Sequence, residues 1–287
     1  MANLKEIRSR IISIGSTMQI TNAMKMVSAA KLKKAQNAIE QMRPYAEKLR
    51  ELMANVSMDT EGVSSVYTQN REVKNVLIVA ITSNRGLAGA FNANIIKEVI
   101  RSSNEDFAGK KVSILAIGKK GNDLLKKDHK IHSNESDLWD DFIFENSSKI
   151  AESVMKSFKD HIYDEVYLVY NQFKNAATQI IKNEKFLPIT VDNNNEGKGI
   201  HVDYIFEPGK KEILIDLLPK TLKIQLFKAL SDSFASEHGA RMTAMHKATD
   251  NATELQKELK LQYNKARQAA ITNEITEIVG GADALAG

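Results

Sequence analysis

Starting at Leu4 and stepping alternately by three and four residues, the chain passes through Leu4, Ile7, Ile11, Ile14, Met18, Thr21, Lys25, Ser28, Leu32, Ala35, Ile39, Met42, Ala46, Leu49, Met53 and Val56. Thirteen of these sixteen positions are apolar. A seam kept over that many heptads predicts a coiled-coil helix rather than a helix on a globular core. Thr21, Lys25 and Ser28 interrupt it, and Ile20, Met24 and Val27 beside them predict a local change of face. Pro44 is expected to bend the helix or end it early. Unbroken, a helix over 4–56 extends roughly 80 Å at about 1.5 Å per residue.

Residues 57–72 are polar and aperiodic, as in a connector. The pattern then changes period. Val76–Ile81 is a continuous apolar run, as in a strand covered on both faces. The turn-rich Ser83-Asn84-Arg85-Gly86-Leu87-Ala88-Gly89 follows, then a helix over about Phe91–Arg101. Val112–Ile117 and Val166–Tyr170 read as further buried strands, with a helix at about 145–161 between them. A strand within 176–190, a loop at Asp192–Gly197 and an edge strand at Tyr204–Pro208 complete the middle segment. Strands alternating with helices predict an open, mostly parallel, Rossmann-like α/β sheet.

A second long helix closes the chain. Pro219 suits a first helical turn, and no proline occurs between Lys220 and Val279. Apolar residues recur at Leu222, Leu226, Leu230 and Phe234, then at Met245, Ala248, Ala252, Leu255, Leu259, Tyr263, Ala266 and Ala270. Gly280-Gly281 is expected to weaken or end the helix. The expected fold is an antiparallel coiled coil of N- and C-terminal helices flanking the α/β domain, with 1–57 and 210–287 pairing as one shaft and 72–209 globular. The last helix, about sixty residues or roughly 90 Å, is then longer than the first and overshoots its start. Ile271, Ile275, Ile278, Val279 and Leu285 lie on that overhang without an intrachain partner. A lone helix with an uncovered apolar stripe is unstable in water, so the pattern alone asks for another protein around the tip.

Charge sharpens this picture. The net charge is only +4, but residues 1–50 carry ten Lys/Arg against Glu6, Glu40 and Glu47. The first helix is therefore basic, and either an acidic partner or plain solvent faces it. Aromatics make up 6% of the chain, in keeping with long helices that have little interior to fill. There is no cysteine, which excludes disulfides, thiol catalysis and Cys-ligated zinc. No apolar run approaches the ~18 residues of a membrane span. The charged, periodic start differs from a signal or transit peptide, so an intracellular protein is expected.

Catalytic patterns are missing where they would be sought. The loop Arg85–Asn92 joins a strand to a helix, as phosphate loops do, but has neither the G-x-x-x-x-G-K-[ST] pattern nor G-x-G-x-x-G. A tight turn or docking surface is expected there. His129, His132, His161, His201, His238 and His246 show no metal-ligand spacing. No G-x-S-x-G elbow and no paired-carboxylate signature occurs. No catalytic residue, cofactor or metal is expected on this chain.

The ends of the chain resemble a known family. Lys5–Ile11 and Gln19–Lys31 (QITNAMKMVSAAK) are similar to the first helix of ATP synthase gamma subunits. Ser236–Met245 (SEHGARMTAM), Ala248–Ala252 and Tyr263–Ala282 (YNKARQAAITNEITEIVGGA) resemble that family's C-terminal signature. The loop Ser83–Asn92 also matches, with Ala88 where many members have cysteine and Asn84 where aspartate is common. The likeness spans the chain, is looser between about 100 and 200, and lacks a chloroplast-type cysteine-bearing insert.

The resemblance implies a central rotor shaft. Its terminal helices would turn inside a ring of alternating alpha and beta subunits, and its α/β domain would sit with epsilon on the membrane ring of c subunits. Ion flow would turn the c ring and the shaft with it, driving each beta subunit through the states that bind ADP and phosphate, form ATP and release it. Met24, Lys25, Lys31, Lys33 and Lys34 would then face acidic levers of the beta subunits. Arg267, Gln268, Thr272 and Glu274 would contact loops of the ring, and Ile275, Ile278 and Val279 would turn in an apolar sleeve. Tyr204 and Glu207 would meet the c ring. The expected site is the cytoplasmic face of a bacterial inner membrane, one copy per complex, with membrane contact only through the c ring.

Two rival readings remain at this point. A basic coiled-coil scaffold for nucleic acid predicts salt-sensitive binding to DNA or RNA. A nucleotide-binding enzyme needs a phosphate-gripping residue after Gly89, where the sequence has Ala90 and Phe91.

Overall fold

The computed structural model describes residues 4–58, 66–69, 71–189 and 209–286. The predicted segment Tyr204–Pro208 and the loop Asp192–Gly197 lie outside them. In chain order the elements are α1 (Leu4–Met58), β1 (Asn75–Ile81), α2 (Phe91–Asn104), β2 (Lys111–Ile117), α3 (Lys119–Leu125), β3 (Lys130–Asn134), a short 3-10 turn (Ser136–Trp139), α4 (Phe144–Lys159), β4 (Glu165–Phe173), β5 (Gln179–Leu187) and α5 (Lys210–Ala286). The chain divides into two compact units, one of residues 1–28 and 242–287, the other of residues 29–241.

In the larger unit five strands form one sheet in the order β3-β2-β1-β4-β5. β1 pairs in parallel with β2 and β4, and β2 with β3; only β5 runs antiparallel, against β4. The continuous apolar run of β1 has a direct cause. Leu77, Val79 and Ile81 enter one core with α4 and with Leu222, Leu226 and Leu230 of α5. The alternate residues Val76, Ile78 and Ala80 enter a second core with Ile95, Ile96 and Val99 of α2. A central strand covered on both faces has no polar face to show. Gly118, after β2, has φ +116, and a Cβ there would lie 2.2 Å from the Thr82 carbonyl oxygen. Only glycine lets these two strand ends approach so closely.

In the smaller unit α1 and α5 pair antiparallel. Thr21 shares a hydroxyl hydrogen bond of 2.9 Å with Thr249, and Thr253 donates to Met18 Sδ at 3.3 Å. A Cβ on Gly15 would meet Gln256 at 3.1 Å. The α1 number falls as the α5 number rises, as antiparallel pairing requires.

Four details correct the sequence reading. The seam does not change face at Thr21: Thr21 and Ser28 are buried, while Ile20 and Val27 are 60% and 57% exposed. Small hydroxyl residues hold the seam because Thr21 finds Thr249 across it. On α5, Leu259 is buried but Leu255 is 45% exposed, and Ala270 is exposed. Thr249 and Thr253 face α1 instead, so polar seam residues hid the register. Pro44 does not end α1, which continues to Met58, and Pro219 lies inside α5, which starts at Lys210. An interior proline costs a helix one backbone hydrogen bond, and in that turn Thr221 Oγ1 donates to the Leu217 carbonyl at 2.9 Å. Finally, α5 runs through Gly280 and Gly281 to Ala286.

Candidate functional site

In open α/β sheets ligands bind outside the carboxyl ends of the strands, where the strand order reverses. Here that point lies between β1 and β4, and a segment of α5 fills it. Ser236 Oγ donates to the Asn171 carbonyl at 3.0 Å, and Asn171 Nδ2 donates to the Phe91 carbonyl at 3.2 Å. Gly239 lies so close to Ala176 that a Cβ would approach its Cα and carbonyl oxygen to 3.2 Å. Ala240 packs with Ala88 and Phe91. A larger side chain at 239 would push the helix off the sheet.

The β1–α2 loop is built to receive a cation, not a phosphate. The Ser83 amide donates to Asn92 Oδ1 at 2.9 Å, and Ser83 Oγ to the Arg85 carbonyl at 2.6 Å. Asn84 Nδ2 donates to the Ser136 carbonyl at 2.9 Å. Leu87 and Gly89 adopt positive φ, 61° and 57°. Carbonyls of Arg85 and Gly86 accept from Arg241 Nη2 at 3.1 and 3.2 Å, and Arg241 Nη1 pairs with Glu237 at 2.5 Å. A phosphate loop presents amide N–H groups to its ligand; this one presents carbonyls to an arginine of its own chain. The loop is a tie between sheet and helix, so the nucleotide-enzyme reading loses its site. The spacing of four between Glu237 and Arg241 in a helix was the available signal for their ion pair, though not for its carbonyl partners.

His238 sits beside this pair. Its side chain is buried, its ring packs edge-on against Phe234 at 4.5 Å, and Nδ1 has no partner. Burial, then the nearby Arg241 and Lys31, push its pKa down to about 3. Glu237 is shifted upward, because burial outweighs the help of Arg241, Lys31 and Arg85. The two act oppositely on stability. A lowered histidine leaves more protons on the unfolded chain, so its contribution is lost as pH falls below about 6.5. A raised carboxylate binds its proton more tightly in the fold, so its contribution falls as pH rises above about 4.5. Replacing His238 by Gln isolates the first effect. From pH 6.5 to 5.0 the native chain should lose about 1.6 kcal/mol in all relative to H238Q, the slope nearing about 1.4 kcal/mol per pH unit only at the acid end, read as diverging midpoints in urea titrations.

The residues singled out by sequence fall into separate groups. On α1, Met24 and Lys25 are half-buried, and Lys31, Lys33 and Lys34 are exposed. Lys25, Lys33 and Lys34 make no ion pair among the described residues. On α5, every residue from Arg267 to Ala282 is exposed. Arg267, Gln268, Thr272 and Glu274 lie there with Ile275, Ile278 and Val279, the last three 56%, 65% and 53% exposed. Ile271 is 48% exposed, whereas the side chain of Leu285 is not among those described. Tyr204 and Glu207 lie outside the described residues. Among the described residues no helix is long and apolar enough to cross a membrane.

Comparison with known proteins agrees with this geometry. The family model described as ATP synthase matches residues 3–285. The ATP synthase gamma chains of Christiangramia forsetii and Flavobacterium johnsoniae are each 64% identical to this chain, with 100% of both chains covered. A chain of the central stalk/c-ring structure of Tetrahymena thermophila mitochondrial ATP synthase is 27% identical, with a TM-score of 0.58, covering 80% of this chain and 99% of that one. A chain of the OSCP/F1/c-ring structure of Euglena gracilis mitochondrial ATP synthase shares the fold at 24% identity, with a TM-score of 0.70 over 98% of this chain and 94% of that one. A chain with this fold, these terminal sequences and a sheet crevice plugged by its own helix belongs to the ATP synthase gamma-chain family and serves as the rotor of the central stalk.

Proposed function

We propose that this chain transmits torque, through residues 1–57 and 210–287, between a c-ring and a hexamer of alpha and beta subunits, with residues 72–209 and the epsilon subunit at its foot. The observation that carries this reading is the α5 stretch from Arg267 to Ala282, exposed on every side. A helix that packs on nothing is marginal in water; an enclosing ring supplies the missing contacts. Ile275, Ile278 and Val279 then run in an apolar sleeve, while Arg267, Gln268, Thr272 and Glu274 make polar contacts below it. Met24, Lys25, Lys31, Lys33 and Lys34 engage acidic levers of the beta subunits, and Tyr204 and Glu207 meet the c-ring. Catalytic residues, Mg²⁺ and nucleotide belong to the ring. The assembly places the chain at the cytoplasmic face of a bacterial inner membrane, held there by its partners.

Two experiments test this. Co-purified with alpha, beta and epsilon, the chain should appear as a single copy per six-subunit ring; another ratio removes the central position. In the reconstituted complex, Lys25→Glu should lower ATP-driven ion pumping relative to ATP turnover, because a repelled lever slips. An unchanged ratio of pumping to turnover removes the role of Lys25.

A further inference from the structure

A run of aromatic rings crosses the surface of the α/β unit. Trp139 stacks near Phe234 at 5.8 Å between centroids, Phe142 lies 5.5 Å from Phe234 and 5.3 Å from Phe227, and Phe144 meets Phe227 edge-on at 5.4 Å. Trp139 Nε1 donates to the Thr82 carbonyl at 2.9 Å, which fixes one end. The run is not sealed. Ile143 and Phe144 are 41% and 40% exposed, and Trp139, Phe142 and Phe227 are half-buried. Ile143 also holds the N-cap position of α4, with no side-chain cap, where Ser, Thr, Asp or Asn would stabilise the helix.

The rim is acidic. Asp137, Asp140, Asp141 and Glu145 are all exposed, and no lysine or arginine occurs between Lys130 and Lys149. None of the four carboxylates forms an ion pair among the described residues; the Asp141 carboxylate accepts from Asn146 Nδ2 at 3.2 Å. This concentration of unpaired negative charge stands on a chain of net charge +4.

We propose that this acid-rimmed aromatic patch docks an amphipathic helix of another protein, an apolar stripe bordered by Lys and Arg. The rings take the stripe and the carboxylates take the basic borders. The rim repels nucleic acid and anionic lipid. A two-fold contact with the same patch of a second copy would set carboxylates against carboxylates. The proposal goes beyond the shaft contacts above and does not depend on them.

Trp139 is the sole tryptophan, so its emission reports the patch directly. A Leu/Lys amphipathic peptide of roughly eighteen residues, about five helical turns, titrated into the full chain should shift the emission to the blue and saturate. A Leu/Glu peptide should leave it unmoved. The D140N/D141N variant alters two exposed side chains and should bind the Leu/Lys peptide about tenfold more weakly, a loss of about 1.4 kcal/mol. E254Q/E258Q, the same loss of charge but on α5, should bind as the native chain does. Equal response to both peptides, unchanged affinity in D140N/D141N, or an emission shift on concentrating the chain alone would overturn the proposal.

Discussion

Replacing Arg241 by Ala should destabilise the α/β unit by about 3–5 kcal/mol. Its side chain is 8% exposed and that of Glu237 11%, so the pair is shielded from water. Removing the guanidinium leaves a buried carboxylate without its counter-ion and strips the Arg85 and Gly86 carbonyls of their donor. Glu237 is already raised by burial with Arg241 present; without it the carboxyl would take up a proton or draw in water, and either costs stability. A denaturant titration followed by Trp139 fluorescence reads the unit that contains the pair. The double variant E237M/R241M should recover much of the loss, because well-packed apolar side chains can replace a buried ion pair at little cost. Full recovery in that variant would locate the defect in the abandoned charge. No loss in R241A would show that the tie between loop and helix does not hold the sheet.

Leu259→Asp should unpair the smaller unit, whereas Leu255→Asp should be tolerated. Leu259 is buried, so the substitution removes a core side chain, worth about 2–5 kcal/mol, and adds an unsolvated carboxylate. Leu255 is 45% exposed and its replacement should stay within about 0.5 kcal/mol. Helical circular dichroism during thermal melting separates the two: an early transition in L259D, a native profile in L255D. Equal sensitivity would mean that the seam runs along another register.

That contrast shows what the sequence conveyed and what it did not. The alternating steps from Leu4 located the α1 seam through Leu49, because large apolar residues mark most of it. At Thr21, Thr249 and Thr253 the seam uses hydroxyls, and a hydrophobic count cannot see a Thr–Thr hydrogen bond between residues so far apart in the chain. The buried strands β1, β2 and β4 were legible as unbroken apolar runs, since both sheet faces are covered. The edge strand β3, with the alternating and largely exposed sequence KIHSN, gave no such signal. Pro219 misled because proline's preference for a first turn is statistical, while the packing of Leu222, Leu226 and Leu230 against the sheet sustains the helix around it. The exposed stretch beyond Arg267 followed from the unequal lengths of the two helices. The Arg241 tie to Arg85 and Gly86 did not, because its acceptors are backbone carbonyls, which any residue provides.

On the rotor reading, another protein covers the exposed end of α5. Hydrogen exchange of the amides from Arg267 to Gly281 tests it most directly, first in the isolated chain and then in the complex with alpha and beta subunits. Fast exchange alone and strong protection in the complex is the predicted result. Strong protection in the isolated chain, or none in the complex, would mean that no surrounding ring encloses this stretch.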